Sequence, residues 1–320
     1  MAAFRYCKRA AVPTRQNAIR GYLELMTTEP LAPPSYPEVA GATAGCFKRI
    51  VPSRIYHADK DILSSTMIKP MLLSPADYID ALVNFKRTKA MDNGTLLHMQ
   101  VLEPHTRDEV MAIFPGPLDS TEGRAFVAAN PDRICVSFAD SLQLEVAGAV
   151  VRSSLFKGRP FYKFIEEGEV EPSIYYTDPI TGLACRTRPD LLHPEFTFDL
   201  KSTRHASTSA FQRDAVDLHY DLQAFMYSLA RCTFEGTTKP TPFVFVKVTS
   251  EAPFATHFMP CVYDFIRNGY EKYAAALAAI KACNLTNHWP APQGEVPMDL
   301  LPWQVFKNNS TSWSGAPATA

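Results

Sequence analysis

Two acidic residues and a lysine in the centre of the sequence have the types and spacing of a metal-assisted phosphodiester hydrolysis site. Asp190 is followed by Asp199, and one residue separates Asp199 from Lys201. Side chains two apart on a strand share a face, so Asp199 and Lys201 would point the same way. Two carboxylates converging from adjacent strands can bind Mg²⁺, with Mn²⁺ as a substitute, because both ions prefer oxygen ligands. A neighbouring lysine can orient a metal-bound water or help to deprotonate it.

Two arginines and a further acid lie near this group in the sequence. Arg186, Arg188 and Asp190 alternate, so on one strand both guanidinium groups would flank the acids. Arginine grips phosphate oxygens at two points, which makes Arg186 and Arg188 candidate contacts to a DNA backbone. Glu171, at the start of the preceding predicted strand, is a candidate additional acid, although an acid at a strand end is more often solvated.

The elements that must position these residues follow from hydrophobic periodicity and turn residues. Strands are predicted at 172–177, 183–189, 196–201, 243–249 and 254–260, and helices at 67–73, 76–85, 95–102, 139–154, 208–216, 220–232 and 262–282. A turn at 178–182 joins the first two strands into a hairpin, so Asp190 would end one strand while Asp199 and Lys201 lie on the next. This order predicts an α/β fold with a central mixed β-sheet flanked by helices.

Two finer features of the helices are also predicted. Asn93-Gly94 indicates a turn immediately before the helix at 95–102. The helix at 139–154 has a single apolar stripe, formed by Leu142, Val146, Val150 and Leu155.

Composition and the positions of proline-rich and polar segments predict three regions in the 320 residues. The sequence is 46% hydrophobic and 20% charged, which is ordinary for a globular protein. Residues 1–54 are expected to form a basic arm with a short helix at 16–26 and a proline-rich connector. Residues 55–285 would form the main domain, and 286–320 an irregular tail rich in proline, serine, threonine and asparagine.

Charge and cysteine usage exclude several classes of protein. The formal net charge of −1 gives no global attraction to nucleic acid, so DNA binding would need a local basic patch. The seven cysteines are dispersed and form no C-x-x-C pair, which argues against a zinc ribbon or a disulfide framework. We therefore expect reduced thiols in a cytoplasmic protein. No apolar run approaches the roughly 18 residues that a membrane span needs, so no membrane partner is expected.

The two aspartates and the lysine resemble a known nuclease motif. Asp190, Asp199 and Lys201, with Pro189 before the first aspartate, resemble the PD-(D/E)xK pattern. Three other segments occur in the family's order: 63–69 (Leu-Ser-Ser-Thr-Met-Ile-Lys) with 74–76 (Ser-Pro-Ala), 94–98 (Gly-Thr-Leu-Leu-His), and 223–227 (Gln-Ala-Phe-Met-Tyr), which matches a Q-x-x-x-Y helix motif. Over roughly residues 55–280 the sequence resembles the exonuclease VIII (RecE-type) nuclease domain, in the RecB-like branch of the PD-(D/E)xK superfamily.

The resemblance implies a role for each matching residue. Asp190 and Asp199 would be metal ligands, and His98 would be an additional one. Lys201 would be the catalytic lysine. A lone histidine in a helix is more often structural, and the family context is what favours a ligand at this position.

The Q-x-x-x-Y segment would support the same site. Gln223 and Tyr227 are four residues apart, so they share one helix face. The resemblance implies that they brace the site or touch the DNA backbone. For Tyr227 the alternative is core packing, with its hydroxyl satisfied locally.

The activity implied by the resemblance is exonucleolytic. It is magnesium-dependent degradation of one strand of linear double-stranded DNA, 5′→3′, by a homo-oligomer that leaves single strands for an annealing protein. Such enzymes are typical of phage recombination systems, which act in the cytoplasm of a bacterial host. The sequence contains no G-x-x-x-x-G-K-[ST] loop, and on this basis ATP is not required.

Two alternatives remain open at this point. An iron–sulfur nuclease of the CRISPR-adaptation type needs four cysteines, three of them clustered after the Q-x-x-x-Y helix, whereas Cys232, Cys261 and Cys283 are dispersed. A non-catalytic DNA-binding or assembly protein on a decayed nuclease fold should have lost one of the acids or the lysine, and all three are present.

Overall fold

A computed structural model describes residues 46–292 of the protein. The predicted helix at 16–26, the proline-rich connector and most of the predicted C-terminal tail lie outside the described residues.

Helices account for about half of the described chain. They are α1 (Ser53–Ala58), α2 (Ser65–Ile68), α3 (Pro75–Val83), α4 (Lys89–Leu102), α5 (Arg107–Val110), α6 (Thr121–Ala129), α7 (Phe138–Ser153), α8 (Phe161–Glu167), α9 (Thr208–Asp217), α10 (Tyr220–Glu235) and α11 (Tyr263–Thr286). Two 3₁₀ turns occupy Lys69–Leu72 and Pro104–Thr106. None of the helices within residues 46–292 is long and apolar enough to cross a membrane.

The strands are shorter and form one main sheet and three small ones. They are β1 (Phe47–Arg49), β2 (Met111–Phe114), β3 (Ile134–Ser137), β4 (Leu155–Phe156), β5 (Arg159–Pro160), β6 (Glu169–Val170), β7 (Ser173–Thr177), β8 (Ala184–Thr187), β9 (Leu191–His193), β10 (Phe196–Thr203), β11 (Phe243–Thr249) and β12 (Thr256–Pro260). The main sheet has the order β12-β11-β10-β9-β6. Only β10 and β11 are parallel in it, which confirms the predicted α/β class with a mixed sheet.

The central pair of strands is buried between two layers of helices. Every residue of β11 is buried, as expected for a continuous apolar run inside a sheet covered on both faces. One face packs against α4, α7 and α8 through Phe196, Phe198, Leu200, Val244, Val246 and Val248. The other face, which includes Phe243 and Phe245, packs against α10 and α11. Each buried apolar side chain of this size contributes about 1.5–3 kcal/mol, so the sheet is a rigid base for the polar residues it carries.

The strand next to β10 differs from the prediction. The predicted hairpin exists as β7 and β8, but it pairs with β1 in a separate three-stranded sheet. The neighbour of β10 is instead β9, only three residues long, which the sequence pattern did not reveal. Asp190 lies in the connection between β8 and β9 because Pro189, which has no amide hydrogen to donate, ends the hairpin strand early.

Three predictions about the helices were wrong in detail. Asn93-Gly94 is not a turn: α4 begins at Lys89, with the Thr88 hydroxyl accepting from the Met91 amide, and runs through the glycine. The predicted helix at 67–73 is α2 followed by a 3₁₀ turn that contains Pro70. In α7 most of the predicted stripe is exposed, including Leu142, Val146 and Leu155 just beyond the helix, because the helix packs through its smaller residues.

The contact between α10 and α11 predicts a large difference between two glycines. A Cβ atom at Gly269 of α11 would lie 2.0 Å from the Asp221 carbonyl oxygen, whereas a Cβ at Gly94 of α4 would meet nothing within 4 Å. We expect Gly269→Ala to lower the free energy of unfolding by about 1–3 kcal/mol or more through overpacking. Gly94→Ala should raise it by about 0.5–1 kcal/mol, because alanine is the better helix former. Urea unfolding of both variants measures the difference, and equal effects would contradict the close approach.

Candidate active site

The backbone of one residue of β10, Leu200, positions two of the site residues. Pairing between β9 and β10 stops at Leu191 and Phe198, so the N–H and C=O groups of Leu200 on that side lack a strand partner. The Leu200 N–H donates to Asp190 Oδ2 at 2.5 Å, and the Leu200 carbonyl lies 3.0 Å from His98 Nε2. The end of β9 thus creates the place where the loop carrying Asp190 meets the helix carrying His98.

Asp199 and Lys201 lie on the face of β10 opposite the apolar residues. The Asp199 side chain is 1% exposed, and Gln223 Nε2 donates to its Oδ2 at 2.6 Å. Its Oδ1 forms an ion pair with the Lys201 ammonium group. That same Oδ1 is buried, and no neutral group donates a hydrogen bond to it.

The protonation of His98 can be assigned from its partners. A backbone carbonyl oxygen only accepts, so Nε2 carries the ring proton and Nδ1 of the neutral ring is a bare acceptor. Burial and the charge of Lys201 lower the pKa of His98, which favours this neutral form. Nδ1 lies 3.4 Å from Asp190 Oδ1. Two acceptors that face each other at this distance need a proton or a cation between them.

The charges of the two aspartates act on each other. Burial, and then the charge of Asp199, raises the pKa of Asp190 well above its usual range, although Lys201 and the Leu200 N–H act in the opposite direction. Burial acts to lower the pKa of Lys201, but Asp199 and Asp190 outweigh it, so the pKa is raised and the lysine stays charged at neutral pH. The site is therefore short of positive charge when both aspartates are ionised.

These donors fit a divalent cation. Each aspartate has one oxygen braced, by Leu200 or by Gln223, and one oxygen without a hydrogen bond from a neutral group. Two such oxygens with His98 Nδ1 are a suitable set for Mg²⁺, which binds through one or two carboxylates and keeps several waters. Within residues 46–292 no three or more histidine, cysteine or acidic side chains are grouped closely enough to hold a metal ion, so these three donors would have to draw together around the cation, with water completing its coordination.

The Q-x-x-x-Y segment lies on α10 and faces the site. Gln223 holds Asp199, as described above. The Tyr227 hydroxyl makes a side-chain hydrogen bond with Ser65 of α2. Burial, the nearby Tyr56 and the two aspartates raise the pKa of Tyr227 well above its usual range, so the phenol stays neutral. Tyr227 therefore joins α2 to α10 beside the aspartates.

Glu171 lies at the edge of the same group. Its backbone N–H donates to the Asp190 carbonyl at 3.1 Å, and its carboxylate is 3.4 Å from Arg188 Nη1. Its φ angle of 47° is in the left-handed region, which costs a residue other than glycine about 1–3 kcal/mol. The fold keeps this strained residue next to Asp190.

The two arginines are not placed to contact DNA. Arg186 is 1% exposed and Arg188 is 8% exposed. Arg186 forms an ion pair with Asp59 at 2.9 Å and donates to the Asp59 carbonyl at 2.6 Å. Arg188 donates to the Val51 carbonyl, and both guanidinium groups stack on Tyr56, at 4.5 Å and 4.3 Å from the ring centroid. The expectation that they bind phosphate was wrong, since they fix the segment around α1 to the three-stranded sheet.

Sequence reasoning missed two residues beside the site, Lys69 and Tyr220. The Lys201 ammonium lies 4.8 Å from the centroid of the Tyr220 ring. Tyr220 is three residues before Gln223 on α10, and this helical spacing was the available signal. Lys69 ends the segment 63–69 that carried part of the family resemblance.

The fold and this site define the class of the protein: it has a restriction-endonuclease-like fold and is a member of the PD-(D/E)xK superfamily, whose nucleases generally depend on a divalent metal. Residues 64–298 match the family described as a PDDEXK-like domain of unknown function (DUF3799), and the chain belongs to that family.

Comparison with solved structures supports the fold. The crystal structure of a candidate exonuclease from Eubacterium rectale has a TM-score of 0.53 and 12% sequence identity, and the match covers 81% of this chain and 98% of that chain. The structure of SSO0001 has a TM-score of 0.24 at 14% identity, and the match covers 58% of this chain and 88% of the other. This similarity is too low to support the fold. Comparison with curated proteins gives no match.

Proposed function

We propose that the protein is a Mg²⁺-dependent exodeoxyribonuclease that degrades one strand of linear duplex DNA without ATP. The observation that carries the proposal is the pair of facing acceptors, His98 Nδ1 and Asp190 Oδ1, beside the buried Asp199–Lys201 ion pair. A cation between such acceptors, with a charged lysine next to it, suits phosphodiester hydrolysis better than any other chemistry of these side chains.

The residues would divide the work of hydrolysis among them. Asp190, Asp199 and His98 would hold the metal ion. When bound, Mg²⁺ lowers the pKa of a coordinated water and neutralises charge on the phosphate. Lys201, which is held by Asp199, would orient the water or help to deprotonate it, and its ammonium form would stabilise negative charge on the phosphate. Gln223 keeps Asp199 in the orientation that presents its other oxygen.

The exonucleolytic part of the proposal has separate support. The sequence resembles exonuclease VIII over most of the matched domain, and the solved structure of similar fold comes from a protein described as a candidate exonuclease. On the same grounds we propose 5′→3′ polarity, a homo-oligomer, and a role in recombination together with a single-strand annealing protein.

A comparison of substrates tests the proposal. Linear duplex, closed circular duplex and single-stranded DNA are incubated with Mg²⁺, Mn²⁺, Ca²⁺ or EDTA, and nucleotide release is measured. Linear duplex should be digested with Mg²⁺ or Mn²⁺, with loss of a 5′ label first, while Ca²⁺ should permit binding without turnover. Efficient cutting of closed circular duplex DNA would contradict the exonucleolytic activity but not the metal-dependent nuclease activity. DNA binding with no release under any condition would favour the non-catalytic alternative.

His98 offers a test of the metal ligands themselves. His98→Ala should raise the Mg²⁺ concentration for half-maximal activity by roughly tenfold or more, because a ring nitrogen is lost from the donor set. DNA affinity in Ca²⁺ should change much less. His105 is a second histidine with an exposed side chain, and His105→Ala is the matched control. An unchanged metal titration in His98→Ala would leave the histidine with a structural role only.

A further inference from the structure

Next to the site, Lys69 has a side-chain amino group without a hydrogen-bonding or ionic partner within residues 46–292. It begins the 3₁₀ turn that follows α2, and its side chain is partly buried. Among the residues that the structure describes, its ammonium group makes no hydrogen bond and no ion pair. The contact that places it is with Tyr220, whose ring centroid is 5.2 Å from Lys69 Nζ.

The Tyr220 ring is shared by two ammonium groups. Lys201 Nζ lies 4.8 Å from the same centroid, so Lys69 and the proposed catalytic lysine flank one ring. The ring is held in place by Phe211 and Phe245, at centroid distances of 6.2 Å and 5.7 Å. Tyr220 thus fixes the position of Lys69 relative to Lys201.

The acids near Lys69 are already committed. Asp199 is paired with Lys201, and Asp221 is paired with Lys272 at 2.8 Å. Burial, and then the charge of Lys201, lowers the pKa of Lys69 to about 7, and these two aspartates compensate only in part. The fully buried Lys247 shows the contrast, because its ammonium group donates to a backbone carbonyl at 2.6 Å.

We propose that Lys69 binds a phosphate of the DNA strand, adjacent to the phosphate that is cleaved. This inference rests on the proposed function and adds a substrate contact to it. The phosphate supplies the negative charge that no side chain among the described residues provides to Lys69. A charge-assisted hydrogen bond in a partly dehydrated site is stronger than one at the surface. Because Tyr220 ties Lys69 to Lys201, the bound strand is held in register with the water that attacks it.

The test measures DNA affinity under conditions without turnover. A short fluorescein-labelled duplex is titrated in Ca²⁺ over a range of salt concentrations, for the wild type and for Lys69→Met, Lys69→Gln and Lys69→Arg. We expect Lys69→Met and Lys69→Gln to raise Kd by about tenfold and to reduce the salt slope by about one. Lys69→Arg should recover most of the affinity. The Mg²⁺ requirement should be unchanged, since Lys69 is not among the proposed metal ligands.

The control is a lysine of equal charge outside the site. Lys86 is exposed and follows α3, and Lys86→Met makes the same change in net charge. A Lys69→Met or Lys69→Gln variant that melts like the wild type and matches Lys86→Met in Kd and salt slope would overturn the inference. In that case the proposed function is unaffected, because it rests on digestion of DNA by the wild type. If the wild type itself neither binds nor digests DNA, the proposed function fails, and this inference fails with it.

Discussion

Asp199→Ala and Lys201→Ala should each reduce the rate of linear duplex digestion by roughly a thousandfold or more. Asp199 presents one oxygen to the proposed metal and holds the Lys201 ammonium, so its loss removes a ligand and frees the lysine. Lys201→Ala removes the charged donor that orients the water. Steady-state digestion with saturating Mg²⁺ gives kcat for each variant, and thermal melting shows whether the fold survives.

Asp132 provides a matched control for these variants. It is exposed and lies between α6 and β3, far in sequence from the site. Asp132→Ala should leave kcat within a factor of about two, as for most surface substitutions. If either Asp199→Ala or Lys201→Ala is folded and turns over like Asp132→Ala, the pair has no part in catalysis.

Asp190→Asn should abolish activity and yet stabilise the metal-free protein. In the wild type, Asp190 Oδ1 faces the bare His98 Nδ1, so two acceptors meet. The asparagine can place its NH₂ group there and donate to Nδ1, while its oxygen still accepts from Leu200. One additional hydrogen bond is worth about 1 kcal/mol, and the repulsion from Asp199 also disappears. For a domain of this size the melting temperature should rise by about 2–4 °C.

The effect should depend on pH in a definite direction. The pKa of Asp190 is raised in the folded protein by burial and by Asp199, so the metal-free wild type loses stability as pH rises above the usual range of an aspartate. Asparagine does not ionise, and the advantage of Asp190→Asn should therefore be larger at pH 8 than at pH 5. Melting in EDTA at both values measures it, with Asp132→Asn as control. Added Mg²⁺ should stabilise the wild type and not the variant.

A lower melting temperature of Asp190→Asn in EDTA at pH 8 would contradict this account. It would mean that the carboxylate and His98 are bridged by a proton, in which case the facing acceptors do not indicate a cation. Loss of activity together with greater stability is the combination that a purely structural aspartate could not produce.

Long and regular patterns made most of the fold predictable. The bounds of β11 were predicted correctly because it is a continuous apolar run, and α7 and α10 were placed to within three residues because good helix-forming residues extend over their whole length. The three-residue β9 has no such pattern. Because β9 was not predicted, the hairpin was expected next to β10. Side-chain alternation around Lys201 gave the correct face because β10 extends beyond it to Thr203.

The site could be predicted only in part. The aspartates and the lysine follow from local spacing, whereas the contact of His98 with the Leu200 carbonyl joins residues about a hundred positions apart and follows from no local rule. The two arginines were misjudged because burial depends on distant partners. Arg186 is paired with Asp59, on a segment whose position no nearby residue indicates. Charge type alone therefore did not distinguish a phosphate contact from a structural ion pair.

The Leu200 peptide also makes the site visible to spectroscopy. Its amide proton is bonded to the Asp190 carboxylate and not to a carbonyl of a neighbouring strand. The resonance of such a proton responds to the charge of the carboxylate, so a single nitrogen-15 signal can follow protonation or cation binding at Asp190. The reporter is a backbone amide, so it needs no substitution and leaves the chemistry of the site intact. The apolar side chain of Leu200 is packed in the core.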